Sequence, residues 1–430
     1  MWLSTANRSN TRIPDYSASA DILSAALAGE SLRYGQRIQL YIPRKALAGI
    51  SGKASYRIAR IWDKIFFLCT PGIRLWHCSH QQSNQIPHKP GLKVLTTVHD
   101  LNFLYEELSE TQHRKMERRF RKVLKRSDAV VCISGHTLHD LQTHYDLHGK
   151  PAYLIYNGCC RYTGPIQQPA ACHSKPFLFS VGTVLPKKNF HVLPCLLRGN
   201  DYELLIAGNL SPYAEQIRNE AAQWGVSDRV RLLGPVEEAE KHWYLRHCTA
   251  FLFPSIAEGF GLPVIEAMQY GKPVFLSRHT CLPEIGREYA CYFNRDFDPA
   301  LMQQEFREGM MRYRKGLIDP EAVRQYARSF SWEKAAKEYW KIYRDMQEND
   351  PLATRIRKIE QAAEQKARQY PPKSPAAWQL VCRPLAGFLL HFIVRGQIFR
   401  GRKGLINSVL ASYEQFCLLK SRYEQSQKRF

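Results

Sequence analysis

The chain is 430 residues long and 44% apolar, more than one hydrophobic core usually serves, which predicts two domains with an appendage and excludes a small single-core module. Its formal charge of +22 points to an anionic partner such as nucleic acid, a phospholipid surface or a phosphorylated substrate. Twelve cysteines without CxxC or metal-ligand spacing, Cys159 and Cys160 being the only close pair, argue against a zinc site or a disulfide framework and for a reducing, cytosol-facing compartment.

The opening MWLSTANRSNTRIP is polar and lacks an apolar segment, so no secretory signal is expected. Residues 1 to 34 offer no convincing first strand and no Gly-Gly loop. From Gln36 onward, apolar bursts of strand length alternate with longer helical patterns, which predicts βα units and a parallel sheet. RIQLYIP, KVLTTVHDL, AVVCIS and AYLIYNG read as strands of a first domain. Between the second and third lies ETQHRKMERRFRKVLKRSD, with Met116, Phe120, Val123 and Leu124 at helical spacing among basic residues. Its basic face reads as an ordinary solvated surface or, in the sharper alternative, as a membrane contact.

The segment 162 to 176, YTGPIQQPAACHSKP, is rich in Pro and small polar residues, and the domain boundary is placed there. FLFSVG, YELLIAG, VRLLG, AFLFPS and PVFLS then repeat the alternation. SFSWEKAAKEYWKIYRDM opens on a Ser cap, with Glu333 expected to complete a capping box. The expected organisation is an N-terminal domain over 1–170, a second domain over 171–348, a charged linker over 349–375 and a basic helical tail over 376–430.

The stretch AEGFGLPVIEAM, residues 257 to 268, leaves a strand and enters a helix, where open α/β sheets bind ligands. Gly259 and Gly261 let backbone N–H groups approach a ligand, and the helix from about Leu262 turns its positive end to phosphate. Glu258 and Glu266 flank that loop, and a carboxylate there suits hydroxyls rather than phosphate. A phosphate with hydroxyl-bearing groups on both sides describes a nucleotide sugar. The plain alternative is a generic turn carrying two surface carboxylates.

EGFGLPVIEAM, followed by GKPVFLS and CLPEIG, resembles the signature of glycosyltransferase family 4, retaining enzymes of the GT-B architecture. SVGTVLPKKNFHVL resembles the family's phosphate-binding loop, TTVHDLNFLYE its acceptor-domain histidine segment, and AVVCISGHTLHDL, IYNG and SFSWEKAA its other landmarks, so the likeness spans roughly residues 75 to 345. The resemblance implies an α/β fold in which two Rossmann-like domains with parallel sheets face a cleft, with a C-terminal helical extension added here. It further implies that Glu266 holds the ribose hydroxyls, that Glu258 binds donor-sugar hydroxyls near the reacting centre, and that backbone at Gly259, Phe260, Gly261 and Leu262 meets the sugar and pyrophosphate. Lys188, with Gly182 at the strand end, is implied to neutralise the departing diphosphate, and His99 to face the donor sugar from the opposite domain. Many relatives carry Arg where this chain has Thr183; Lys187 is expected to compensate. His77, His80 and His136 read as structural.

These residue types suit glycosyl transfer. Breaking an anomeric C–O bond builds positive charge on the sugar and negative charge on the diphosphate, which cationic and N–H groups stabilise. No metal or other cofactor is expected, since Lys188 and the positive end of the helix from about Leu262 are expected to serve the same end. A degenerate transferase kept as a binding subunit is one alternative. A basic nucleic-acid-binding protein is another, but its cations interleave with aliphatic rather than stacking aromatic side chains, and no nucleic-acid partner is expected.

The tail holds much of the charge: residues 351–430 carry fifteen Lys and Arg against four Asp and Glu. PLAGFLLHFIV, the longest apolar run, is bracketed by Arg383 and Arg395 and falls short of the roughly 20 residues a span needs. Two helical stripes follow, Leu385, Phe388, Leu389, Phe392 and Ile393, then Leu405, Ile406, Val409, Leu410, Tyr413 and Phe416. They are joined by a turn carrying Arg395, Arg400, Arg402 and Lys403. They suit the core of a small helical domain or an interfacial hairpin on an anionic membrane. The segment resembles the C-terminal tail of family 2 glycosyltransferases that build the lipopolysaccharide inner core, which implies a glycolipid or lipopolysaccharide acceptor and a peripheral place on the cytoplasmic side of the inner membrane.

Overall fold

Trp2–Ser4 forms β1, and it lies at the centre of a sheet, paired in parallel with β2 (Gln39–Ile42) and β4 (Leu75–Cys78). This first strand was not expected from sequence, because three residues are too few for a period to show. The computed structural model describes residues 2–4, 15–31, 38–42, 55–58, 73–83, 86–87, 92–106, 108–170, 175–348, 351–369, 375 and 377–427. The position expected for a Gly-Gly loop, after β1, lies outside them.

With β3 (Ser55–Ile58), β5 (Lys93–Val98), β6 (Ala129–Cys132) and β7 (Ala152–Leu154), the first sheet has seven strands in the order β3-β2-β1-β4-β5-β6-β7, every pairing parallel. β4, β5 and β6 are buried along almost their whole length, as strands inside a parallel sheet are. The helices of this part are α1 (Asp15–Ser31), α2 (Glu110–Arg126) and α3 (Gly135–His144). α2 buries Phe120, Val123 and Leu124 as its spacing predicts, and Ser109 and Gln112 close a reciprocal capping box at its start.

The second sheet holds β8 (Phe177–Val181), β9 (Glu203–Ala207), β10 (Val230–Gly234), β11 (Ala250–Phe253), β12 (Val274–Leu276) and β13 (Cys291–Tyr292), ordered β10-β9-β8-β11-β12-β13 and again parallel. Phe179, Phe251, Phe253 and Phe275 form its buried centre. Its helices are α4 (Ala214–Gln223), α5 (Glu238–His247), α6 (Leu262–Met268), α7 (Leu282–Gly286), α8 (Pro299–Arg314) and α9 (Pro320–Arg328).

α10 (Trp332–Glu348) returns to the first sheet. Tyr339 shares a hydrogen bond with Thr97 of β5 at 2.8 Å, and the Trp340 indole donates to the Leu27 carbonyl at 3.2 Å. Ser331 caps this helix by accepting the Lys334 N–H at 3.1 Å. The expected capping box is incomplete because the residue at the third position is Lys334, which has no acceptor to offer back.

Residues 1–341 form one compact unit and 342–430 a second. The second contains α11 (Pro351–Gln369), α12 (Ala377–Leu389) and α13 (Gly401–Gln427). The stretch expected to be a charged linker is therefore largely the helix α11. Ala363 and Ala367 are buried on one face of it, a spacing of small residues too weak in hydrophobicity to register beside its many charges.

Candidate active site

In the second sheet the chain order reverses between β8 and β11, so the loops leaving the C-terminal ends of these neighbours part around a crevice, the usual ligand position in such sheets. The β8 loop begins at Gly182, whose φ of 152° suits glycine, and a Cβ there would lie 3.4 Å from Lys188 Cε. Thr183 follows, half-buried. A tight turn over Pro186–Lys188 ends at Asn189 in the left-handed region. This turn swings Lys187 and Lys188 over the ends of the strands.

The β11 loop is tied to it through one carbonyl. The Ile256 N–H and the Ser255 hydroxyl both donate to the Lys187 carbonyl, at 2.9 and 3.0 Å. Lys188 Nζ donates to Glu258 Oε1 at 2.5 Å, with 14% and 13% of the two side chains exposed. The same ammonium stands 4.9 Å from the centre of the Phe253 ring, so it is held by both charge and a π face. The Glu258 N–H donates to Thr280 Oγ1 at 3.2 Å. Thr280 has φ 51°, a costly conformation for a β-branched residue and one that clusters at functional loops.

Beyond Glu258, Phe260 is buried between the rings of Tyr156 and Phe330. Gly261, at φ 92°, turns the chain into α6, and Leu262 begins that short helix. Glu266, on α6, faces a cation that sequence reading missed: Lys241 of α5 approaches it at 3.1 Å and also meets Glu238 at 2.9 Å. Burial works against the Lys241 ammonium, but Glu266 and Glu238 outweigh it and raise its pKa. Nothing in the sequence links Lys241 to Glu266, since they lie on different helices.

The first domain closes over these loops at three places. A Cβ on Gly259 would stand 2.2 Å from the His99 carbonyl oxygen, so only glycine admits this contact. Lys187 Nζ pairs with Glu106 Oε1 at 2.8 Å, and although burial disfavours its charge, Glu106, Asp100 and Glu258 raise its pKa. Glu284 of α7 accepts the N–H groups of Gly135 and His136 at the start of α3, at 2.7 and 3.1 Å, and the Tyr156 hydroxyl at 2.7 Å. Glu284 lies in the CLPEIG stretch that marked the resemblance, but its reach across the domains needed the folded chain.

His99 has a buried ring whose Nε2 donates to the Ser79 carbonyl at 2.7 Å, and its backbone carbonyl meets the Gly259 loop. Burial lowers its pKa, so the ring is neutral with the proton on Nε2. His80 stacks on it at 5.5 Å and accepts the Gln82 N–H on Nδ1; burial and then His99 lower its pKa to about 3. His77 shares a hydrogen bond with Thr97 at 2.7 Å in the core, and His136 pairs with Asp140 at 3.3 Å.

The structure thus gathers Gly182, Lys187, Lys188, Glu258 and Gly259 at one crevice, with Glu266 and Lys241 on the helices behind it. Cations that can meet phosphate lie beside carboxylates that can accept from hydroxyls. Among the described residues no three His, Cys, Asp or Glu side chains converge on one point.

The family model for glycosyl transferases group 1 matches residues 166–329, and that for Glycosyltransferase Family 4 matches residues 22–159. The O-antigen chain mannosyltransferase RfbU of Salmonella typhimurium is 27% identical over 202 residues, 46% of this chain and 56% of that protein. The O-antigen chain mannosyltransferase B of Escherichia coli is 24% identical over 225 residues, 48% of this chain and 58% of that protein. The matches thus span little more than half the length of these curated relatives. A glycosyltransferase structure from Rickettsia africae superposes with a TM-score of 0.61 at 14% identity, covering 81% of this chain and 99% of that one, a likeness of fold.

Proposed function

The chain belongs to glycosyltransferase family 4, with the GT-B fold, and we propose that it moves a sugar from a nucleotide-sugar donor to a lipopolysaccharide or related glycolipid acceptor, with retention of anomeric configuration. The observation that carries the proposal is the Lys188–Glu258 pair at 2.5 Å at the strand-order reversal, roofed by the His99 backbone over Gly259. Donor binding exchanges this pair for two others, Lys188 with the β-phosphate and Glu258 with sugar hydroxyls, so no charge is left buried alone.

In this reading Lys188 and Lys187 stabilise the diphosphate as the anomeric C–O bond breaks, and Glu266, steadied by Lys241, accepts from the ribose hydroxyls. The acceptor oxygen bonds to the anomeric carbon on the face the diphosphate leaves, and its proton passes to that diphosphate. Closure of the domains, through Gly259 against His99 and Glu284 against α3, excludes water from the reaction. The O-antigen relatives support a glycolipid acceptor. Such a substrate places the protein at the cytoplasmic face of the inner membrane, with its basic C-terminal tail on anionic lipid.

The test is a panel of UDP-, GDP- and ADP-sugars offered with extracted core glycolipid, the products read by mass and anomeric configuration. Transfer of one sugar with retention is expected. Failure of every donor to bind overturns the enzyme reading, and binding without turnover makes the chain a binding subunit.

A further inference from the structure

The second unit has many of its large apolar side chains on the outside. In its helical hairpin the buried positions Pro384, Gly404, Ser408 and Cys417 are small or weakly apolar, beside the buried Leu410 and Leu419. The exposed positions include Trp378, Leu385, Ile393, Val394 and Phe399, with 73% of Val394 and 91% of Phe399 accessible. A unit folded for water does the reverse. Small residues inside and large aliphatic ones outside is how helices pack when lipid surrounds them.

Close packing at the turn depends on that smallness. A Cβ on Gly404 would stand 1.8 Å from the Gln397 carbonyl oxygen, and Gly387 of α12 leaves room for the Gln415 side chain of α13. The Ser412 hydroxyl donates to the Pro384 carbonyl at 2.6 Å and the Ser408 hydroxyl meets His391 at 3.1 Å, so polar groups between the helices satisfy one another. α12 passes through a wider π-helical turn, Leu390–Val394. The chain then reverses between Gly396 at φ 64° and Gly401 at φ 55°, and Ile398 and Phe399 project at the tip.

Charge distinguishes an anionic surface from an apolar protein partner. From Gln365 to Tyr413 the sequence has no Asp or Glu, and Arg383, Arg395, Arg400 and Lys403 are exposed around the apolar face. Among the described residues no helix is long and apolar enough to cross a membrane.

We propose that α12, the turn and the start of α13 form a monotopic anchor. Ile398, Phe399 and the outward aliphatic faces lie among the acyl chains of one leaflet, and Arg395, Arg400 and Lys403 sit at the phosphates of anionic lipid. This deepens the reading of a lipid-borne acceptor and rests on it only for the anchor's purpose, since it holds the chain where such an acceptor is embedded.

The experiment floats the full chain with vesicles of phosphatidylglycerol and phosphatidylcholine in equal parts, and with phosphatidylcholine alone, in the absence of any acceptor. Wild type should rise with the anionic vesicles and far less with the neutral ones. Phe399→Asp should weaken partition at least about tenfold. The triple change of Arg395, Arg400 and Lys403 to Gln should weaken it on the order of a hundredfold, near fivefold for each cation. Donor binding and the thermal transition, measured on the same variants, should match wild type. The proposal is overturned if wild type stays with the dense fraction, if the variants float as it does, or if sedimentation shows that Phe399 holds two copies of the chain together instead. Loss of donor binding with flotation intact would instead overturn the transferase reading, so the two failures are told apart.

Discussion

The His99 carbonyl oxygen of the first domain and Gly259 of the second meet so closely that a single added methyl would lie 2.2 Å from that oxygen. Gly259 is not among the residues with positive φ, so alanine fits its backbone and the whole penalty falls on the approach of the domains. Gly259→Ala should leave the thermal transition nearly unchanged while turnover falls on the order of a hundredfold, the usual consequence of misplacing reacting groups by about an ångström. Small-angle scattering with saturating donor should find the variant more open than wild type. Wild-type turnover would remove closure at this contact from the mechanism.

The two glutamates should separate by kinetic signature. Glu258→Gln keeps the shape but weakens the hydrogen bonds to sugar hydroxyls, so kcat should fall more than donor affinity. Glu266→Ala should weaken donor binding with less effect on kcat. Each loses a charge-assisted hydrogen bond of about 1.5–3 kcal/mol, so an effect of roughly tenfold or more is expected. Equal loss in KM and kcat for both would mean that the two carboxylates do not divide the donor between sugar and ribose.

Lys241 touches Glu266 and Glu238 and is assigned to positioning. Lys241→Met should raise the donor KM roughly tenfold with kcat little changed, because Glu266 loses the cation that fixes its rotamer. Lys241→Arg should restore most of the affinity. A kcat loss without a KM change would place Lys241 at the leaving group instead.

Acid should loosen the first domain through His77. Its pKa falls from 6.5 to about 3, through burial first and the neighbouring His99 second. Between these values only the unfolded chain takes up the proton. His77 therefore contributes its full share of stability above pH 6.5 and loses it as pH falls toward 3, by up to about 1.4 kcal/mol per pH unit. Urea midpoints measured from pH 7.5 down to 5 should decline below 6.5, and His77→Gln should flatten the decline. A slope unchanged in that variant would assign the acid sensitivity elsewhere.

With Lys187 and Lys188 supplying charge at the diphosphate, turnover is expected to survive EDTA. Loss of activity in EDTA with recovery on adding manganese would transfer that task to a metal ion.

Much of the fold was legible because parallel strands buried on both faces are written as short apolar runs. KVLTTV, AVVC, FLFSV, ELLIA and AFLF all became strands of the two sheets. What escaped was short or mixed: the three-residue β1, SYRI of β3, LWHC of β4 and the two-residue β13, whose pairing is decided by the strands beside them. The helix α11 was read as linker because its sequence is dominated by charges, and the buried Ala363 and Ala367 are too small to register beside them.

The site divides in the same way. Local sequence determined that a glycine loop with flanking glutamates would follow a buried strand, and that two lysines would follow another. Backbone freedom and side-chain charge are properties of a residue and its immediate neighbours. Only the tertiary structure decided that Lys188 meets Glu258, that Lys241 meets Glu266, that Glu284 reaches α3 and that the His99 carbonyl meets Gly259. These pairs are 25 to 160 residues apart in sequence. Their meeting depends on the strand order and on the approach of two domains, which no local pattern encodes.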